Sequence, residues 1–455
     1  MISLFNFLGC VGAALQGAAG IPYVLYLLMI VYAGMFIYYS IKNNKSKLVL
    51  CSIDLLVISM IIPDNYSIIA ISLIVAIVLK FKINSIGLRS IQLSDRIILI
   101  GVFIYIIFNT IINLVNPVNA LFFIVYYIPL LLFYYIFKII DINEAIYRHI
   151  LKRLKEILVF ELIAILCYAV SHLGVIFNAN DMDWVVGTLG AYQCNVLMCI
   201  CSFIGLIFIN DYILKKDKRS VIWIIISFAI AMSTSSLTYT MVLFAAFIMV
   251  FITNVKIKLK VRMIFAVLII GGGGIFYAVS PAWITQEIPR MFDSNYAEDR
   301  IVKINAYEDV FKNLPRNEGW DKFWIGCGAG SYSSRAAQTC MGTYIDGYNE
   351  IFDPHISEYT RKYIMNYNAI YRGEGLSGRP DSSIVSIQGE FGVIGLMLLL
   401  IILVCMYKRS KNIFARILIL FFVGMMFFDN SLEFAKYGLA FYLGLNVIEK
   451  HITAV

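Results

Sequence analysis

The chain has 455 residues, 60% of them hydrophobic and only 15% charged, with a mean hydropathy of +0.81 and a formal charge of +8. Repeated uncharged apolar runs approach the roughly 20 residues that cross a bilayer as a helix, which excludes an ordinary soluble domain, and their lack of alternation excludes a transmembrane barrel. The positive excess sits in short loops beside these runs, with 26 Lys/Arg against 15 Asp/Glu outside residues 281–381, so it reads as the positive-inside signal and not as a nucleic-acid surface.

Met1–Gly20 is uncharged and rich in small residues, and is expected to be interfacial or re-entrant; no cleavable signal peptide is read there. A first span over Ile21–Ile41 ends at Lys42, Lys45 and Lys47, which should be cytoplasmic. Two short spans, Leu48–Ile62 and Tyr66–Lys80, meet at an outer turn Pro63-Asp64-Asn65, and Lys82 and Arg89 mark an inner loop. Spans Arg96–Val115 and Val118–Phe137 meet at Asn116-Pro117 outside. The basic stretch Asp141–Glu156 is read as an inner segment before a span over Ile157–Phe177. A span over Gly190–Asn210 returns to the cluster Lys215–Arg219, and Ser233–Ser236 splits the next apolar stretch as the outer turn of a hairpin. After the basic Lys256–Arg262, a span over Met263–Ser280 leads outward; Ile384–Tyr407 returns inward, and two short spans flank Asp429-Asn430.

The expected architecture is therefore all-α: a polytopic membrane protein of about 12–14 helices. Residues 1–280 form a transmembrane bundle, 281–383 a large, mainly helical external loop, and 384–455 the closing helices. The loop stands out, since residues 281–381 hold three of the five tryptophans and five of the nine prolines, with 11 Lys/Arg and 14 Asp/Glu. Chemistry is expected there. Asp54 and Glu161 fall inside spans, where an ionisable group is costly and commonly faces a cavity or a partner; for Glu161 the alternative is snorkelling to the inner interface. Glu433 and Lys436, three apart, can pair on one helix.

Three patterns in the loop carry information. In Phe323-Trp324-Ile325-Gly326-Cys327-Gly328-Ala329-Gly330-Ser331-Tyr332, glycine recurs at every second position, which permits close backbone approach and turns N–H groups toward an anion; a tight packing turn is the commoner role. Over Glu298–Leu314, Ile301, Ile304, Phe311 and Leu314 fall on one helical face, with Arg300 in the first turn. An arginine fork suits a diphosphate, although a salt bridge is its more frequent use. Tyr359, Tyr363, Tyr367 and Tyr371 repeat every four residues and would stack on sugar rings or, more commonly, form a buried helix face. Cys327 and Cys340 can pair in an oxidising compartment or pack as separate thiols. No Cys/His spacing suggests a metal, and no cofactor is implied.

These residues resemble the bacterial O-antigen polymerase and ligase superfamily. The resemblance rests on the Arg300 helix, the Gly326-x-Gly328-x-Gly330 turn followed by Ser331 and Tyr332, and the approach to the next span, Asp381 to Gly395, which contains Glu390-Phe391-Gly392-Val393-Ile394-Gly395. Weaker echoes are Gly187–Asn195 and the serine turn at Ser233–Ser236. Where the family's ligases carry a histidine, nine positions before the glutamate, this chain has Asp381, which favours a polymerase.

The resemblance implies a GT-C-like fold in the bacterial inner membrane with the large loop in the periplasm. It implies a metal-independent glycosyltransferase that joins oligosaccharide repeat units between undecaprenyl-diphosphate carriers, with the bilayer and a chain-length regulator as partners and no nucleic acid. On that basis Arg300 is assigned to the diphosphate, and Arg335, Arg372 and Arg379 are further cations. Glu374 and Asp381 are the candidate bases, and Gly326, Gly328, Gly330, Tyr363 and Tyr367 the substrate-binding positions. The competing readings are an O-antigen ligase delivering polymer to lipid A core, and a lipid-linked oligosaccharide flippase, for which the long loop has no obvious use.

Overall fold

The computed structural model describes residues 4–63, 66–83, 93–140, 142–172, 187–190, 193–234, 236–253, 302–341, 355–365 and 381–450. Every regular element among them is helical. In chain order these are α1 (Leu4–Ala19), α2 (Tyr23–Ile41), α3 (Lys45–Met60), α4 (Tyr66–Ile83), α5 (Leu93–Ile112), α6 (Pro117–Ile139) and α7 (Glu144–Ser171). Then follow α8 (Cys194–Lys215), α9 (Arg219–Ser233) and α10 (Leu237–Thr253). The loop segment contributes the short α11 (Val302–Glu308), α12 (Leu314–Glu318), α13 (Trp320–Ile325) and α14 (Arg335–Cys340), and the chain closes with α15 (Ser383–Arg409), α16 (Ile413–Met426) and α17 (Ala435–Lys450).

Among the described residues, four helices are long and apolar enough to cross a membrane: α2, α6, α8 and α15. Shorter apolar helices lie at α1, α5, α9, α10 and α16. Burial differs sharply between the long ones. α8 is enclosed by the bundle over most of its length, whereas α2 and α15 leave most of theirs uncovered. The outward-facing Leu27, Ile30, Ile37, Met397 and Leu400 leave these two helices with apolar outer faces.

Several expectations need correction. The N-terminal stretch is a helix packed into the bundle: Phe5 and Ala13 are buried, and a Cβ at Gly17 would lie 2.1 Å from the Ala164 carbonyl oxygen. Its small residues let α1 and α7 approach closely. The basic stretch read as an inner segment is helical and forms the first half of α7. Asn143 caps it by accepting from the Ile146 amide at 2.9 Å, and Glu144 pairs with Arg148 one turn on at 2.9 Å.

Arg153 explains why that half is drawn in. Its Nε and Nη2 donate to the Asp54 carboxylate at 2.7 and 3.2 Å, its guanidinium lies 3.9 Å from the Phe5 ring centre, and His149 reaches Asp54 at 2.6 Å. Asp54 therefore has partners that tie α3 to α7. Glu161 does not snorkel; it is buried and accepts from the Thr188 amide at 2.8 Å and hydroxyl at 2.5 Å. Glu433 and Lys436 engage different groups: Lys436 donates to Pro63 O and Gln193 Oε1 at 3.2 and 2.8 Å, while Glu433 faces the loop segment.

Within the loop segment, α11 and α12 are joined by a π turn over Asp309–Asn313. The extra residue in that turn rotates the buried face. Ala306, Val310 and Leu314 are fully buried, while Ile304 and Phe311, expected on the packed side, are more than one-third exposed. Cys327 and Cys340 are both free and buried, so they are separate packed thiols. Cys340 Sγ points at Asn119 Oδ1 on α6, 3.4 Å away, and burial pushes its thiol up to about 11.

Candidate functional site

The loop segment docks on the bundle through a break in a long helix. At Gly392 the backbone of α15 leaves helical geometry, with φ +62° and ψ −166°. A break strands carbonyls, which must find other donors when buried. Here the Gly389 and Glu390 carbonyls accept from the Cys327 and Gly328 amides at 2.8 and 2.9 Å. The Phe391 carbonyl accepts from the Tyr105 hydroxyl at 2.7 Å, and Asn109, one turn further along α5, donates to the Ile325 and Glu390 carbonyls at 2.6 and 3.2 Å.

Two backbone stretches, 325–328 and 389–392, thus lie directly against each other. Glycine is required on both sides of this contact. A Cβ at Gly326, whose φ is +85°, would sit 2.4 Å from the Glu390 carbonyl, and one at Gly392 would sit 2.4 Å from that of Trp324. Gly326→Ala and Gly392→Ala are each expected to destabilise the protein by roughly 3 kcal/mol or more, because strain at positive φ adds to a clash with main chain that cannot rotate away. Thermal unfolding of the purified variants checks this, with Gly101→Ala, which meets only open space, as the control that should melt like the parent.

Three further amides of the turn converge on one carboxyl. Glu390 is fully buried, and its Oε2 accepts from the Gly330 amide at 2.8 Å while Oε1 accepts from the Tyr332 and Ser334 amides, both at 3.3 Å. The anion that this glycine-rich turn encloses is therefore a side chain of the chain itself. Ser334 then caps α14 by accepting from the Ala337 amide at 3.3 Å. The glutamate fixes the turn, and the turn aims α14.

At the start of α14 stands Arg335, more than nine-tenths buried. Its guanidinium lies 3.6 Å from the Phe434 ring centre and 5.8 Å from that of Tyr126 on α6, a stacked position in which a cation is held by the ring faces. The Arg335 backbone amide donates to Glu433, which also accepts from the Tyr127 hydroxyl at 3.1 Å. Burial and the nearby Glu390 carboxyl push Glu433 well above the ordinary carboxylate range, against the pull of the Arg335 amide and charge.

Two more carboxyls complete the cluster. Asp381, buried at the head of α15, accepts from Gln338 Nε2 at 2.7 Å. Asp429, between α16 and α17, accepts from the Tyr239 and Tyr437 hydroxyls at 2.9 and 3.2 Å. Burial and Asp381 raise Asp429, while Lys303 and Arg335 lower it. Lys303 on α11 donates to the Phe428 carbonyl, and Tyr307 to the Phe427 carbonyl at 3.0 Å, so α11 is pinned to the same end of α16.

Of the residues singled out in the sequence, Arg335 and Asp381 lie in this cluster, joined through Gln338 of α14. Gly326 and Gly328 are used in the contact with α15, and Gly330 holds Glu390. Tyr363 is buried beside Tyr332, with ring centres 5.9 Å apart, and donates to Glu318 at 3.1 Å. It faces α12, away from the Arg335 side chain's aromatic bed. Arg300, Arg372, Arg379, Glu374 and Tyr367 lie outside the described residues. Glu433, Asp429 and Tyr127 were not assigned to a site from the sequence. The signal for Glu433 was present, a carboxyl in an apolar stretch, but its partner is 98 residues away. The two weaker echoes also meet, since the Ser236 hydroxyl donates to Asn195 Oδ1 at 2.5 Å.

No protein-family model matches this chain, and no curated protein does.

Proposed function

We propose that the protein is a glycosyltransferase of the O-antigen polymerase type, joining oligosaccharide repeat units carried on undecaprenyl diphosphate at the outer face of the bacterial inner membrane. The observation that supports this reading is the Arg335 guanidinium, buried on aromatic rings near Glu433 and Asp429, where the polar loop segment meets an apolar helical bundle. A lipid diphosphate would bring its chain to the apolar side and its sugars to the polar side.

In the reaction an acceptor hydroxyl attacks the donor's anomeric carbon. The new glycosidic C–O bond forms as the bond to the diphosphate breaks, and polyprenyl diphosphate leaves with the electron pair. Arg335 would balance the charge that grows on that leaving group, in a site where water does not screen it. A carboxylate takes the proton released by the hydroxyl. Asp381 and Glu433 flank α14 and serve this reading as the candidate bases.

The test is the surface polysaccharide of a bacterium deleted for this gene, with and without the gene restored. Loss of the ladder with retention of core bearing one repeat unit is the expected result. Core without repeat units beside accumulated lipid-linked polymer would assign the protein as a ligase instead. Single lipid-linked units accumulating on the cytoplasmic face would assign a flippase and overturn the transferase reading.

A further inference from the structure

A groove of about 340 Å³ runs between α5, α6, α15, α16 and α17, from Met426 and Leu432 near the Arg335 cluster to the far ends of α6, α15 and α17. Its walls are apolar, formed by side chains such as Leu130, Leu399, Leu403, Phe441 and Leu445. One mouth is different in kind. Lys138 ends α6, Arg409 ends α15 and Lys450 ends α17, and all three line that mouth. Among the described residues lining it the one acid is Glu449, which accepts from the Ser410 hydroxyl.

We propose that this groove binds one membrane phospholipid with an anionic headgroup, its acyl chain along the apolar wall and its phosphate at the basic mouth. Three observations commit the site to that occupant. The wall is contributed by helices that include two of the long apolar ones, α6 and α15, so the groove opens onto hydrocarbon and a lipid chain is the solute at hand. Among the described residues the mouth carries three cations against one carboxyl, and basic pockets between transmembrane helices at the cytoplasmic side select anionic headgroups. That mouth is also the end that the Lys/Arg distribution assigns to the cytoplasm, where anionic lipid is sensed. The inference does not rest on glycosyl transfer.

Cations at three helix C-termini also complement the helix dipoles, and Lys450 donates to the Ile140 carbonyl at 3.2 Å. The experiment must therefore separate lipid selection from stability. Full-length protein in detergent is titrated with phosphatidylglycerol and with phosphatidylcholine of the same chains, and bound lipid is counted by native mass spectrometry. The parent should take phosphatidylglycerol at lipid concentrations at least about fivefold lower. The triple variant Lys138→Gln, Arg409→Gln, Lys450→Gln should lose that preference while still taking phosphatidylcholine. Leu403→Trp, which fills the groove, should weaken both lipids, and glycerol 3-phosphate should displace neither.

Should the triple variant fail to fold, Arg409→Gln alone, on an exposed side chain, should narrow the preference by about fivefold. Equal uptake of the two lipids by the parent would overturn the proposal. So would a variant that melts lower yet keeps its preference, which would leave the three cations with the helix ends only.

Discussion

Glu390→Ala is expected to unfold the loop segment from the bundle, with a loss of the order of 3–5 kcal/mol and a lower yield of folded protein. The substitution leaves the Gly330, Tyr332 and Ser334 amides buried without their acceptor, and each stranded donor costs about 1–3 kcal/mol before relaxation. Glu390→Gln keeps one oxygen acceptor and the shape, so it should cost roughly half as much. Thermal unfolding of the two purified variants gives the order. A Glu390→Ala protein that melts with the parent would mean that other donors or water replace the carboxyl, and the turn would not depend on it.

Arg335→Ala is expected to reduce polymer per unit of membrane protein by at least about 100-fold, the range seen when one fixed donor to a developing negative charge is removed. The variant also removes a cation from among buried carboxyls, so folding must be measured beside activity. Arg335→Lys separates the two effects. It keeps the charge among Glu433 and Asp429 but loses the planar fork and its stacking on Phe434. It should therefore elute and melt much like the parent while recovering only part of the polymer. A normal ladder from Arg335→Ala at normal protein level would remove Arg335 from the transfer step and leave it a structural cation.

The glycine turn and the Glu390-x-Gly392 stretch are each legible in the sequence, whereas their contact in space is not. Alternating glycines announce that a backbone comes close to something. They do not say what. Here each supplies the reason for the other: Gly326 exists because Glu390 and Phe391 occupy the space of its Cβ, and Gly392 because Trp324 occupies its own. The buried face of α11 and α12 was misread for a related reason, since the π turn at Asp309–Asn313 breaks the 3.6-residue period on which the pattern depends.

The sequence by itself determined that the described residues are helical and roughly where apolar helices such as α2, α6 and α15 run. These follow from local causes, the length of uncharged runs and capping residues such as Asn143 and Ser334 acting over a few positions. Only the tertiary structure decided that α7 begins a dozen residues early to bring Arg153 to Asp54, that Glu390 is the anion of the glycine turn, and that Arg335 meets Glu433. These pairs lie 99, 60 and 98 residues apart in the chain. A buried charge accepts whichever partner packing delivers, and the periodicity that shapes one helix carries no information about a helix a hundred residues away.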